Sequence, residues 1–296
     1  MVPAVTAPIE TRISANGVSL CWFEWGREHA GKDATIVLSH ATGFHARCWD
    51  RVVARLGARH VIALDTRGHG RSAKVYPVRW RDFGRDLAAF VRQRDLHDVL
   101  AVGHSAGGHA TVEAAALEPA RFRRLVLIDP TILAPDLYAS RGPHVAAGAS
   151  MHPAAKRKRH FASVEEMLER LKERPSFAAF DPGVLRDYCA FGLLPRADGG
   201  GLELACPPEY EAAVYDASLD NRDIYDRVHA VTMPVLVVRA MEPRTPSDLF
   251  DFRYSPTWPA LAGEFRNGRD RPFPDRTHFL PMEDPALAAS LILAGE

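Results

Sequence analysis

VLAVGHSAGG, residues 99–108, joins a strand pattern, a turn pattern and the start of a helix. Its first half is a short apolar run, which is typical of a buried strand, and the alanine-rich sequence after it suits a helix. Between them lies Gly-His-Ser-Ala-Gly, a G-x-S-x-G pattern. This pattern predicts a sharp strand-to-helix turn that exposes the Ser105 hydroxyl at the end of a sheet. We expect glycine at 103 and 107 because a side chain there would collide where strand and helix pass closely.

Length and charge limit the classes of protein that this chain can be. Its 296 residues are 47% hydrophobic, which is enough to bury the core of one large α/β domain with an insertion or of two small domains. The 37 basic residues are balanced by 37 acidic ones. Because the balanced charge gives no attraction to polyanions, we expect neither nucleic acid nor an anionic membrane as a partner.

Cysteine usage and the N-terminus indicate the compartment. The cysteines at 21, 48, 189 and 206 are far apart and fit no metal-binding spacing, so we expect free thiols, a reducing compartment, and no metal or cofactor. Residues 1–10 lack the basic and apolar parts of a signal peptide. No apolar run approaches the roughly 20 residues that span a bilayer. These features predict a cytoplasmic globular protein.

Short apolar strands alternate with helical patterns over residues 1–130 and again over 230–296. Such alternation predicts an α/β core domain with a mainly parallel sheet covered by helices on both faces. Strands are predicted at 18–25, 34–39, 60–64, 125–128 and 234–238, at the start of 99–108, and once more before Arg276. Helices are predicted at 49–56, 80–94 and 109–117, and a last one is expected to begin at Asp284-Pro285.

Residues 131–229 show no convincing buried strand and are predicted to form an inserted helical cap. Ser163 and Glu166 have the spacing of a capping box, and Asp181 precedes a proline at a helix start. The basic run at 156–159 is predicted to be a solvated face. Aromatic residues in this region are expected either to wall an apolar pocket or to form the core of the cap itself. They are Phe161, Phe177, Phe180 and Phe191.

A serine nucleophile needs a base, and histidine is the usual one because its pKa lies near neutrality. Of the 13 histidines, His278 stands in a short loop between the predicted last strand and the last helix. That loop returns to the end of the sheet where Ser105 emerges, so His278 is the predicted base. We expect structural roles for the other histidines near the predicted site, which are His40, His69, His104 and His109.

A carboxylate must orient the histidine and stabilise its cation. In this arrangement the acid lies between the serine and the histidine in the chain. Asp129 follows the strand at 125–128 and is favoured because a carboxylate at a strand end has a fixed position. Glu242 is the alternative acid, although it stands in a proline-containing loop. Asp248 and Asp251 lie a little further on.

Acyl transfer also requires backbone donors for the oxyanion. The amide of Ala106, directly after the serine, is one candidate. The other candidate is the amide of Thr42 in the loop at 40–44, where Gly43 permits a tight turn.

Several motifs together resemble the α/β-hydrolase superfamily, in its lid-bearing serine hydrolase and esterase branch. They are HATGF (40–44), DTRGHGRS (65–72), GHSAGG (103–108), LVLIDP (125–130), PVLVV (234–238) and HFLPMEDP (278–285). The resemblance implies Ser105 as nucleophile, His278 as base, and the amides of Thr42 and Ala106 as oxyanion donors. Two departures affect this comparison. His40 is followed by alanine where glycine is usual, and Pro243 stands near the usual place of the acid. Some members carry the acid at the end of the preceding strand, as at Asp129.

Serine at position 105 limits the types of reaction that this site can catalyse. Related enzymes that transfer alkyl groups carry aspartate there, whereas serine suits attack on a carbonyl and an acyl-enzyme. The sequence therefore predicts a hydrolase of a small carboxylic ester. A thioesterase, a lactonase or a carbon–carbon bond hydrolase would use the same residues. A receptor or sensor of this fold, which binds a small ligand under the cap, is the alternative from another class.

Overall fold

The structure is a computed structural model, and it describes residues 7–140, 152–245, 248 and 251–294. Its centre is an eight-stranded sheet in the order β1-β2-β4-β3-β5-β6-β10-β11. The strands of this sheet are β1 (Ile9–Ala15), β2 (Val18–Trp25), β3 (Ile36–Ser39), β4 (Val61–Leu64), β5 (Val99–His104), β6 (Phe122–Ile128), β10 (Val235–Arg239) and β11 (Gly268–Pro272). The remaining strands are β7 (His160–Phe161), β8 (Leu193–Pro195) and β9 (Leu202–Leu204). The α-helices are α1 (Asp50–Val53), α2 (Trp80–Gln93), α3 (Ala106–Leu117), α4 (Pro135–Ser140), α5 (Val164–Lys172), α6 (Pro175–Ala178), α7 (Pro182–Phe191), α8 (Pro208–Asp216), α9 (Ile224–Ala230), α10 (Leu261–Glu264), α11 (Leu280–Glu283) and α12 (Pro285–Leu293).

The sheet is mostly parallel. β2 runs antiparallel to both of its neighbours, β1 and β4, and each pairing from β4 across to β11 is parallel. Parallel neighbours need crossover connections, and the helices that supply them cover the two faces of the sheet. This arrangement confirms the predicted α/β fold with a mostly parallel central sheet.

β6 shows why the strands read as continuous apolar runs. Leu125 and Leu127 pack with the side chains of α2 and α3 on one face of the sheet. Val126 and Ile128 pack with those of α1 and α12 on the other face. A strand that is buried on both faces has no polar side, so its hydrophobic pattern has no alternation.

One predicted helix differs from the structure, and one strand was not predicted. β1 lies at the edge of the sheet and alternates between exposed and partly buried residues. It was not predicted because its charged side chains interrupt any apolar run. The helix predicted at 49–56 is a 3₁₀ turn at 46–49 followed by the short helix α1. The strand predicted before Arg276 is β11. The helix predicted at 80–94 is confirmed as α2.

Residues 131–229 contain helices and a small antiparallel sheet, β7-β9-β8. These strands have two or three residues each, which is too short for a periodic pattern to show. The predicted helix starts are confirmed. Ser163 Oγ accepts a hydrogen bond from Glu166 N, and Asp181 Oδ1 accepts bonds from two amides of α7. The boundaries of the cap stay a prediction, since α9 packs within the hydrophobic cluster of the main sheet.

All four cysteines are free, as predicted, and the structure buries each of them. Among the described residues, no helix is both long and apolar enough to cross a membrane.

Candidate active site

Ser105 stands at a strained turn between β5 and α3. Its backbone has φ 57° and ψ −121°, a conformation that costs a non-glycine residue of order 1–3 kcal/mol. The neighbouring glycines permit it. A Cβ atom on Gly103 would lie 2.3 Å from the carbonyl oxygen of Gly107, and one on Gly107 would lie 2.3 Å from that of Ser39. The expected need for glycine at both positions is thus confirmed.

The register of the sheet aligns the strand ends that carry the candidate residues. Gly103 of β5 pairs with Ser39 of β3 on one side and with Leu127 of β6 on the other. Ile128 of β6 in turn pairs with Val238 of β10. In a parallel sheet the carboxyl ends of neighbouring strands share one edge, which is the usual place of a ligand site. The residues that follow these strands therefore meet at that edge.

His278 links the predicted serine and the predicted acid. Its Nε2 lies 2.9 Å from Ser105 Oγ, and its Nδ1 lies 2.6 Å from Asp129 Oδ2. All three residues are buried, with exposed fractions of 3%, 7% and 0% for His278, Ser105 and Asp129. A carboxylate has no proton to give, so Nδ1 carries the hydrogen and Nε2 can accept the serine proton. The three residues form one chain of hydrogen bonds.

The second oxygen of Asp129 is held by residues that the sequence did not indicate. Oδ1 accepts hydrogen bonds from the amide of Ala240 at 3.0 Å and from Ser255 Oγ at 2.5 Å, with Thr257 Oγ1 at 3.3 Å. Ser255 and Thr257 lie in the irregular segment after β10, where no periodicity or motif marks them. These donors fix the carboxylate and leave Oδ2 to His278.

The structure does not bring Glu242, the alternative acid, to His278. Its side chain is 58% exposed and pairs with Arg239, which also binds Asp270. Asp248 accepts hydrogen bonds from amides at 244 and 245 in its own loop, and Asp251 pairs with Arg253. Among the described carboxylates, Asp129 is the one that binds the imidazole.

Thr42 and Ala106, the predicted oxyanion donors, border the same small void beside the serine turn. Within the described part of the chain, the backbone amide of neither residue donates a hydrogen bond to a protein group. Thr42 Oγ1 is also buried without a partner. The amide of Ala106 opens helix α3, where backbone N–H groups have no partner inside the helix. Unpaired donors at this position suit an anionic oxygen.

His104, predicted to be structural, contacts the site directly. Its Nε2–H donates to the backbone carbonyl of His278 at 2.8 Å. Burial, and then the nearby His278, hold the pKa of His104 well below its usual value, so this ring stays neutral and keeps the tautomer. Burial also lowers the pKa of His40, whose Nε2 accepts from the amide of Thr66.

A cavity of about 350 Å³ lies between the site and residues 152–215. Ser105 and His278 are not part of its wall, but Thr42, Phe252 and Phe279 are. The ring of Phe252 stacks on that of His278 with 6.1 Å between centroids. The cavity therefore lies next to the serine site, and Thr42 and Phe252 border both.

The aromatic residues expected around a pocket divide between two roles. Phe161 and Phe177 line the cavity. Phe180 packs in the hydrophobic cluster behind it, and the ring of Phe191 faces the guanidinium of Arg47. Phe180 and Phe191 are therefore packing residues.

The sequence profile of the Alpha/beta hydrolase family matches residues 36–291. The chain belongs to this family. Among curated relatives of this alpha/beta hydrolase, a non-heme haloperoxidase of Rhodococcus erythropolis is 35% identical over 131 residues, which are 43% of this chain and 43% of the relative. A monoglyceride lipase of Rattus norvegicus is 34% identical over 130 residues, 41% of this chain and 43% of the relative. The chain thus covers less than half the length of these relatives.

Solved structures resemble this chain over nearly its whole length. The structure of an E-2-(acetamidomethylene)succinate hydrolase matches 96% of this chain and 97% of its own, with a TM-score of 0.73 and 22% sequence identity. At this identity the likeness shows the fold. The fold alone does not identify the catalytic residues, and their roles follow from the geometry of the site.

Proposed function

We propose that this alpha/beta hydrolase cleaves a small carboxylic ester through an acyl-enzyme on Ser105. The observation that carries the proposal is the chain of hydrogen bonds from Asp129 Oδ2 through His278 to Ser105 Oγ. A serine hydroxyl becomes a good nucleophile when a base takes its proton during attack, and a carboxylate keeps that base in the required tautomer.

In the first step the Ser105 oxygen attacks the ester carbonyl carbon. His278 Nε2 takes the hydroxyl proton, and the imidazolium that forms is stabilised by the Asp129 carboxylate. The carbonyl oxygen becomes an oxyanion, for which the unpaired amides of Thr42 and Ala106 are the candidate donors. One such donor contributes about 3–4 kcal/mol to transition-state stabilisation in related chemistry. Collapse of this intermediate breaks the ester C–O bond, and the alcohol leaves with the proton from His278.

In the second step water hydrolyses the acyl-enzyme. His278 takes a proton from the water, the resulting hydroxide attacks the acyl carbon, and Ser105 leaves with the proton returned. The products are a carboxylic acid and the free enzyme. A thioester, a lactone or an activated carbon–carbon bond would follow the same steps with a different leaving group, so these substrates belong in the same assay panel.

The decisive test is hydrolysis of p-nitrophenyl butyrate by the wild type and by Ser105→Ala. We expect turnover by the wild type, with rapid initial release of p-nitrophenol, and a loss of about 10⁴–10⁶ in kcat for the variant. Ser290→Ala is the matched control because Ser290 is an exposed serine of α12 that lies outside both the hydrogen-bond chain and the cavity wall. Retained turnover in Ser105→Ala would exclude Ser105 as the nucleophile. Ligand binding with no turnover of any ester, thioester or lactone would favour a receptor.

A further inference from the structure

The cavity next to the serine site has an unbalanced charge. Glu211 is the one acidic side chain among the described residues that line it. The lysines and arginines of its wall are Lys156, Arg157, Lys158, Arg170 and Arg174. Composition does not explain this excess, because the whole chain has a formal net charge of zero. The basic run at 156–159, predicted to be a solvated face, instead contributes three of these side chains to the cavity.

Two of the five cations are neutralised by carboxylates. Arg157 pairs with Glu211 and donates a second hydrogen bond to Tyr188 Oη at 2.8 Å. Lys158 pairs with Glu166. Within the described part of the chain, Lys156, Arg170 and Arg174 form no ion pair. Three exposed positive charges therefore remain on the cavity wall, of which Arg170 also interacts electrostatically with Glu166.

Another part of the cavity wall is apolar, although the wall beside Gly43 also holds the ion pair of Glu211 with Arg157. Phe161, Met167 and Leu171 are buried side chains of this apolar part. Phe279 and Phe252 also line the cavity, and the Phe252 ring stacks on His278. A ligand that fills the space contacts both the apolar surface and the cations. Such a surface binds a hydrocarbon segment, and the unpaired cations bind an anion on the same ligand.

We propose that the substrate carries a carboxylate, separated from the scissile ester by an apolar segment, and that Lys156, Arg170 and Arg174 bind this carboxylate. The inference rests on the proposed ester hydrolysis and specifies its substrate class. The scissile carbonyl lies at Ser105, the apolar segment lies along Phe161 and Met167, and the anion meets the three free cations. Arginine suits this role because its planar guanidinium can donate two hydrogen bonds to one carboxylate.

The test compares esters that differ in charge and hardly in shape. One pair is mono-p-nitrophenyl adipate and its terminal amide, which places the charge on the acyl side. The other pair is the butyrate ester of 4-hydroxyphenylacetic acid and that of 4-hydroxyphenylacetamide, which places it on the alcohol side. We expect a higher kcat/KM for the carboxylate than for the amide in one of the two pairs. We also expect the preference to shrink as ionic strength rises, because salt screens exposed charges.

Variants connect the preference to the named cations. Arg170→Gln with Arg174→Gln should lower kcat/KM for the preferred carboxylate about 3- to 20-fold, mostly through KM, and leave the matching amide unchanged. Arg266→Gln is the matched control, since Arg266 is exposed and lies outside the cavity wall. Equal kcat/KM for acid and amide in both pairs, or a preference that survives the double variant, would overturn the proposal. If no ester of either pair is hydrolysed and Ser105→Ala changes nothing, the proposed function itself is wrong.

Discussion

Asp129 Oδ2 accepts the Nδ1–H of His278 at 2.6 Å, across 149 residues of sequence. Asp129 has φ 46° and follows the end of β6, and its amide donates to the carbonyl of Val238 at 2.7 Å. The carboxylate is thus positioned by the strand that precedes it and by the neighbouring strand β10. The imidazole is held in turn by its bonds to Asp129 and Ser105 and by the stacked ring of Phe252, and His104 holds its backbone carbonyl.

The first prediction distinguishes the two candidate acids. We expect Asp129→Asn to lower kcat about 10⁴-fold, because an amide favours the wrong imidazole tautomer and cannot stabilise the imidazolium. Glu242→Gln is the matched control, since this exposed carboxylate binds Arg239 and does not contact His278. Initial rates with p-nitrophenyl butyrate and a thermal unfolding curve should be measured for both. Equal loss of activity in the two variants would contradict the assignment of Asp129.

The second prediction concerns Ser255, which donates to the other oxygen of Asp129. Removal of a hydrogen bond to a charged group costs about 1.5–3 kcal/mol. We expect Ser255→Ala to lower kcat about 10-fold with little change in KM. The Asp129 carboxylate would keep its hydrogen bonds from Ala240 and Thr257 but lose the one from Ser255. Ser290→Ala, a change at an exposed serine of α12, should leave both constants unchanged. A rise in KM at constant kcat would instead indicate that Ser255 acts on substrate binding.

The third prediction uses the glycines of the serine turn. Gly103→Ala should destabilise the protein by about 1–3 kcal/mol and lower activity, because its Cβ would lie 2.3 Å from the carbonyl oxygen of Gly107 and neither backbone can move without displacing Ser105. Gly263→Ala is the matched control, since a Cβ there meets no atom within 4 Å. Denaturant unfolding measures the difference between the two variants. Equal stability of the two variants would contradict the close approach of strand and helix.

Much of the fold was predictable because its central strands are buried on both faces. The apolar runs at the start of 99–108 and at 125–128 have no polar side, and the G-x-S-x-G turn between β5 and α3 has a steric requirement that the sequence displays. β1 was missed because an edge strand has one solvent face, and its alternating charges resemble a loop. The three strands of residues 160–204 were missed because two or three residues define no period.

The residues around the candidate site divide in the same way. Ser105, Asp129 and His278 each follow or stand near a recognisable strand or motif, so local sequence indicated them. Ser255 comes from an irregular segment, and its contact with Asp129 depends on how that segment folds back over β10. The carboxylate of Glu211 reaches the cavity from α8, and no local pattern connects it with Arg157, 54 residues earlier. Contacts of this kind follow from tertiary packing, which a single sequence does not display.

The last prediction concerns the buried neutral histidines and acid stability. Burial lowers the pKa of His109 to about 3, and neither of its ring nitrogens has a hydrogen-bond partner among the described residues. In the unfolded chain a histidine takes up a proton below about pH 6.5, whereas folded His109 stays neutral down to about pH 3. Proton uptake by the unfolded state therefore lowers the free energy of unfolding as pH falls between these values, by about 1.4 kcal/mol per pH unit for this residue.

His109→Leu removes that contribution. We expect a plot of the free energy of unfolding against pH, from urea titrations below about pH 6, to have a slope smaller by about one proton than in the wild type. The variant can also change the absolute stability near neutral pH, because the rings of His109 and Trp80 pack in a T-shaped arrangement with 5.0 Å between their centroids. This change shifts the whole curve and does not alter its slope. Trp80→Phe serves as the control, since it alters the same ring contact without removing a titratable group and should leave the slope unchanged. An unchanged slope in His109→Leu would mean that folded His109 takes up its proton as readily as it does in the unfolded chain.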